Sequence, residues 1–187
     1  MCIRDRTENR RLIGSFTHGS MANALLHGIG AQVSHPDRQV IALAGDGGLA
    51  MMLGELLTLT QNKLPVKTIV VNNSSLNFVE LEMKAAGFVN YGTALDNPSF
   101  AAIAEAMGIF ARRVENSEDL PDAVREVLAH DGPALLDVVT ERQELSMPPA
   151  IEAAQVKGFA LYAIRTVMSG KGDELLDLAR ANWRQFL

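Results

Sequence analysis

Val40-Ile41-Ala42-Leu43-Ala44-Gly45-Asp46-Gly47-Gly48 is the stretch that decides the fold. A continuous apolar run that ends in glycines is expected of a strand buried on both faces of a sheet. A helix is expected from roughly Leu49 to Asn62, stopped by Pro65, and Val66 to Val71 then forms the next buried strand, ending at Asn72-Asn73. Strand, helix and strand in that order imply parallel strands joined by a crossover helix.

The same alternation extends in both directions. Upstream, Leu12 to Phe16 reads as a short strand, and Ser20 is expected to cap a helix through about Val33, with Met21, Ala24, Leu25 and Gly28 at helical spacing. Downstream, a helix covers Phe78 to Ala86 and a loop Gly87 to Asn97. Pro98 then opens a helix that carries Phe100, Ile103, Ala104 and Met107 on one face. Ile109 to Val114 and Ala134 to Val139 are two further strands, separated by a helix from Pro121 to His130 with a capping signal at Ser117 and Glu118. The expected fold is α/β, a doubly wound and mostly parallel sheet with flanking helices, plus a C-terminal helical tail. After Thr140 the alternation stops; Pro148-Pro149 marks a break, and helices follow over Ile151 to Ser169 and Asp173 to Phe186. We expect a disordered leader over 1–9, a cofactor-binding domain over 10–147 truncated at its N-terminal edge, and a helical extension over 148–187.

The 187 residues are 48% hydrophobic and 21% charged, enough to bury a sizeable core. A net charge of −5, with no Lys or Arg run, gives no electrostatic case for nucleic acid. One cysteine, Cys2, excludes an internal disulfide framework and fits a reducing cytoplasm.

Ligands of doubly wound sheets bind beyond the carboxyl ends of the strands. Two such ends here carry polar groups, Asp46 between glycines and Asn73, 27 positions apart. A carboxylate and an amide carbonyl are the hard oxygen donors that Mg²⁺ prefers, and Gly47 and Gly48 let backbone N–H groups approach phosphate oxygens at a helix start. Taken singly, Gly-Asp-Gly is often only a tight turn and Asn-Asn only a strand end. His18 is open between touching a ligand and capping its loop. Gly28-Ile29-Gly30 lies inside a helical pattern and is discounted as a dinucleotide loop.

Together and in this order, the two signals resemble the thiamine diphosphate signature, Gly-Asp-Gly followed some two dozen or more residues later by Asn-Asn. The resemblance implies that Asp46, the Asn73 side chain and the backbone carbonyl of Ser75 bind Mg²⁺. The segment Gly14 to Ala24 resembles the opening Gly-x-Met segment of the same enzymes. It implies that the Gly19 carbonyl accepts from the cofactor's amino group and that Met21 wedges between its two rings. Leu12 to Gly19, Lys63 to Lys67, Phe78 with Glu82 to Ala85, Lys157-Gly158-Phe159, Ser169 to Glu174 and Asn182-Trp183 look like the ubiquinone-linked pyruvate dehydrogenase (pyruvate oxidase) family.

That narrower resemblance implies oxidative decarboxylation of pyruvate, with Phe78 in the active site between thiamine and flavin, and electrons passing to FAD and on to ubiquinone. It implies a homo-oligomer, a tetramer, in the cytoplasm and peripheral on the inner face of the membrane. The family's catalytic Glu and its FAD domain belong to segments not found here, so the isolated chain is expected to be inactive. The tail supplies a lipid-binding reading: Leu175, Leu176, Ala179, Trp183, Phe186 and Leu187 fall within roughly 120° of a helical wheel, opposite Asp173, Asp177, Arg180 and Arg184. The rival readings are acetolactate synthase, a 2-keto acid decarboxylase, and a non-catalytic fragment of the same fold.

Overall fold

The computed structural model describes residues 11–142 and 153–182. The leader over 1–9, the Pro148-Pro149 break, and Trp183, Phe186 and Leu187 of the tail stripe lie outside the described residues. The chain divides into two compact units. Among the described residues, a sheet unit comprises 11–74 with 96–140, and a helical unit comprises 75–95, 141–142 and 153–182.

The sheet unit has four strands: β1 (Ile41–Gly45), β2 (Lys67–Asn72), β3 (Phe110–Val114) and β4 (Ala134–Val139). All pairings are parallel, in the order β1-β2-β4-β3. Its helices are α1 (Asn23–Ser34), α2 (Asp46–Met51), α3 (Leu56–Gln61), α5 (Phe100–Ala106) and α6 (Leu120–Ala129). Successive strand residues face opposite sides, and β4 shows the result. Leu135 joins one core with Leu25, Leu49, Leu59, Val70 and Phe100, while Ala134 and Leu136 join another with Val114, Ala123 and Val127. Helices therefore cover both sides, as a doubly wound sheet requires.

Cover on the second side is partial. Leu43 pairs in register with Ile69, and Ile69 with Leu136, so all three face the side that α6 covers. Among the described residues that cover does not reach β1, where Ile41 is 48% and Leu43 65% exposed. The expectation of burial on both faces thus fails at β1, where burial alternates, while β2 and β4 are mostly buried.

Three further expectations are corrected. Residues 11–15 form no strand, and Leu12, Ile13 and Phe16 are all more than half exposed. β1 pairs with β2 only, so this apolar segment adds no strand to the free edge of β1. Ser20 does not cap α1; the helix starts at Asn23 after Ala22, whose φ of 63° is left-handed and which makes no side-chain cap. The helix expected from roughly Leu49 to Asn62 is two helices, α2 and α3. A 3₁₀ turn at Leu53–Glu55 parts them, after Met52 leaves helical geometry at φ −128°. At α5 the cap is Ser99, whose hydroxyl accepts from the Ala102 amide at 3.2 Å.

The helical unit contains α4 (Asn77–Ala85), α7 (Ala153–Met168) and α8 (Gly172–Asn182). α4 and α7 meet closely. Lys84 lies over the ring of the buried Tyr162 at 5.7 Å, and Arg165 donates to the Gly87 carbonyl at 2.6 Å. Gly158 permits this approach, because a methyl there would sit 1.7 Å from the Ala85 carbonyl oxygen. That clash is with backbone and cannot be relieved by a rotamer change. Gly158→Ala is expected to cost about 2 kcal/mol or more. Gly30→Ala, in open space on α1, should instead stabilise by roughly 0.5–1 kcal/mol. Urea unfolding followed by circular dichroism checks the pair; an unchanged midpoint for Gly158→Ala would contradict the close α4–α7 contact.

Candidate functional site

Parallel pairing of Gly45 with Val71 brings the carboxyl ends of β1 and β2 level, with Asp46 beside Asn72 and Asn73 one residue further on. Asp46 is 3% exposed, and its charge is met by three N–H groups. Oδ1 accepts from the Gly47 amide at 2.8 Å, and Oδ2 accepts from the Ser74 amide and from the Asn97 side chain, each at 2.7 Å. Ser74 reaches Asp46 by turning into the left-handed region, φ 56°. Left-handed non-glycine residues are uncommon and tend to cluster at functional sites. Of the three here, Ala22 and Ser74 adjoin candidate residues.

The network continues inward. Asn97 also donates to Asn72 Oδ1 at 3.0 Å, and Asn72 donates to Asp137 Oδ1 at 3.0 Å. Asp137 is fully buried, and its Oδ2 accepts from the Phe100 amide at 3.2 Å and from Arg113 at 2.6 Å. Asn72 entered the sequence reading only as the first residue of the Asn-Asn pair, and Asn97 and Asp137 were not among its candidates. Asn97 before Pro98 looks like an ordinary loop end, and its partner lies 51 positions away.

Several expected residues come together in the sheet unit. A cavity of about 220 Å³ is lined by Met21, Leu25, Leu43, Gly45, Gly48 and Leu49, among others. Met21 is 46% exposed beside it. A methyl added at Gly45 would meet nothing within 4 Å, so the space in front of this strand end is open to a ligand. Gly19 has φ 57° and closes a turn through its amide to the Ser15 carbonyl at 2.8 Å, a conformation that favours glycine. His18 is exposed.

Ser75 and Phe78 belong to the helical unit. Phe78 is 77% exposed on the first turn of α4. Ser75 is buried, bridges Ala94 in antiparallel fashion, and donates through its hydroxyl to Glu80 at 2.8 Å. Glu80 is fully buried and accepts also from Lys84 at 2.8 Å, Asn90 at 2.9 Å and Thr93 at 3.2 Å. The helical unit also holds a cavity of about 900 Å³, walled by Tyr91, Arg142, Lys171, Glu174, Asp177 and Arg180, among others. None of the candidate cofactor or metal residues lines it, and charges of both signs share its walls, so it has no ligand preference comparable to the Asp46 strand end.

A divalent cation with a diphosphate fits what the strand end presents. Among the described residues no group of three or more His, Cys, Asp or Glu side chains could hold a metal, so a protein-only cage of zinc type is not formed there. One buried carboxylate, an adjacent amide and open space in front of glycine is instead the donor set of Mg²⁺, which takes few protein ligands and completes its shell from phosphate and water.

These features define the class first: an α/β cofactor domain that offers one carboxylate and a glycine turn at the carboxyl end of a parallel sheet. Residues 2–138 match the thiamine pyrophosphate enzyme, C-terminal TPP binding domain, and the chain belongs to that family. It is 34% identical over 178 residues to YdaP of Bacillus subtilis (strain 168), which carries a provisional thiamine pyrophosphate name; the match covers 95% of this chain and 31% of YdaP. It is 32% identical to the acetolactate synthase large subunit of Porphyra purpurea, covering 83% of this chain and 27% of that one. A thiamine diphosphate-dependent 4-hydroxybenzoylformate decarboxylase of Rhodococcus jostii RHA1 superposes with a TM-score of 0.62 at 32% identity, covering 66% of this chain and 24% of that one. The chain thus spans less than a third of the length of these relatives.

The Glu80 cluster has a consequence for acid stability. Burial alone pushes its carboxyl up, but the hydrogen bonds from Lys84, Ser75 and Thr93 and the Lys84 charge outweigh it and hold the group below the ordinary glutamate range. A lowered folded value means the stabilisation is complete above the unfolded value and is lost as pH falls through the folded one. Glu80→Gln should be clearly less stable than wild type at neutral pH, because Lys84 is left buried without its carboxylate. The gap should narrow as pH falls from about 5 to about 3. Thermal melts across that range check this; a gap independent of pH would show that Glu80 is uncharged.

Proposed function

We propose that this chain holds the diphosphate and Mg²⁺ end of thiamine diphosphate in an enzyme that decarboxylates a 2-oxo acid, of the acetolactate synthase or 2-keto acid decarboxylase kind. The observation that carries the reading is Asp46, a buried carboxylate held by N–H donors at a parallel strand end that opens onto glycine. The names of the Porphyra synthase and the Rhodococcus decarboxylase support it. When bound, thiamine diphosphate supplies the electron sink that allows a 2-oxo acid to release carbon dioxide.

In this reading Asp46 and the Asn73 side chain hold the metal, and the amides of Gly47 and Gly48 face the diphosphate. Met21 presents its thioether to the cofactor rings beside Gly45 and Gly48, and the Gly19 carbonyl orients the aminopyrimidine. The domain works with a second copy of the chain that supplies the opposite wall, hence as a homo-oligomer.

Asp46→Ala removes the one charged metal ligand. It should abolish Mg²⁺-dependent binding of thiamine diphosphate, a loss of at least several kcal/mol where charges are dehydrated. Asp122→Ala, at an exposed ion pair with Arg125, should leave binding unchanged. Calorimetric titration distinguishes the two, and undiminished affinity in Asp46→Ala would overturn the assignment.

A second reading, the pyruvate:ubiquinone oxidoreductase with FAD, is favoured by the tail. α8 carries an exposed Leu176. Among the described residues no helix is long and apolar enough to cross a membrane, so attachment to a phospholipid membrane would be that of an interfacial helix. Trp183 is the chain's single tryptophan, and its fluorescence reports on the tail. The second reading predicts a blue shift on phospholipid vesicles that salt barely weakens, since the tail's charges are balanced. An unshifted spectrum at saturating lipid leaves the first reading alone.

A further inference from the structure

Asp46 is held asymmetrically. Oδ2 accepts two hydrogen bonds, from the Ser74 amide and the Asn97 side chain, which engages both its in-plane lone pairs. Oδ1 accepts only from Gly47, its neighbour in the chain. Oδ1 therefore keeps a lone pair for a cation and Oδ2 does not. The direction of this arrangement is set two strands away. Asp137 can only accept, so Asn72 must turn its NH₂ group to it and its carbonyl oxygen towards Asn97. Asn97 must then present both N–H groups outward, one to Asn72 and one to Asp46. Arg113 and the Phe100 amide keep Asp137 itself from turning. Each amide has one orientation that satisfies every neighbour, and all of these groups lie in the sheet unit.

We propose that Asn97 is a positioning residue that fixes which oxygen of Asp46 is offered to the cofactor metal, with its own orientation set by Asp137 through Asn72. The inference rests on the assignment of Asp46 as metal ligand. Without Asn97 each oxygen of Asp46 keeps one backbone donor, Gly47 on Oδ1 and Ser74 on Oδ2, and the difference that marks Oδ1 for the metal is lost. Residues that orient metal ligands typically change metal affinity by 10- to 100-fold when removed.

The probe is Mn²⁺ in place of Mg²⁺ with thiamine diphosphate, titrated into the whole chain and read by electron paramagnetic resonance, with melting temperatures recorded without and with both. Asn97→Ala is expected to weaken Mn²⁺ binding by about 10- to 100-fold and to alter the bound Mn²⁺ spectrum. Asp137→Asn, which keeps size and shape but lets the amides reverse, is expected to weaken it by about tenfold without touching Asp46. A residue that only supports the fold would lower the two melting temperatures equally; a positioning residue shrinks the gain that metal and cofactor confer. Wild-type affinity and spectrum in both variants, with Asp46→Ala inactive in binding, would overturn the role of Asn97 and leave Asp46 standing. Binding retained in Asp46→Ala, or absent in wild type, would overturn the Asp46 assignment and this inference with it.

Discussion

A carboxylate withdrawn from water at the end of a strand is costly unless donors replace the solvent, and Asp46 is 3% exposed. The fold answers that cost with three N–H groups drawn from well-separated parts of the chain: the start of α2, the left-handed turn after β2, and the loop before α5. Parallel pairing of β1 and β2 is what brings them together, since it sets both carboxyl ends at one edge. The same donors that make the burial tolerable keep the side chain oriented. Stability and ligand preference are thus met by one set of hydrogen bonds.

The remaining architecture serves that edge. β2 and β4 are mostly buried and carry Asn72 and Asp137, so the hydrogen-bonded chain behind Asp46 runs through the driest part of the sheet. Glu80 plays a parallel part in the helical unit. One buried carboxylate gathers Ser75, Lys84, Asn90 and Thr93, and so ties the start of α4 to the segment that ends the loop after it. Both carboxylates are compensated by several donors rather than by a lone salt bridge, the arrangement in which a buried charge is least costly.

The sheet, its parallel sense and the Gly45-Asp46-Gly47-Gly48 turn were legible in the residues because each depends on local pattern: apolar runs of strand length, helical spacing between them, glycine where backbone must approach a ligand. The misreadings share a cause, which is dependence on what lies alongside. Leu12 to Phe16 has the composition of a strand and joins no ladder; Ile41 and Leu43 have the composition of a buried strand and lie beyond the reach of α6. The break at Met52 between α2 and α3 carries no proline signal. Asn97 was illegible for a different reason. An asparagine before a proline is ordinary at a loop end, and only the folded sheet shows that its amide meets a carboxylate 51 positions earlier.

The central claim is that thiamine diphosphate and its metal settle at the carboxyl ends of β1 and β2, under Asp46. Paramagnetic broadening in an amide spectrum of the chain, titrated with Mn²⁺ and thiamine diphosphate, locates the metal directly. The account predicts that the amides of Gly45 to Gly48 and Asn72 to Ser74 broaden first, and that those of Phe110 to Ala111, at the opposite end of the parallel strands, stay sharp. Early broadening at Tyr91 to Ala94 and Lys171 to Glu174, around the large charged cavity of the helical unit, with Gly47 and Ser74 unaffected, would contradict it.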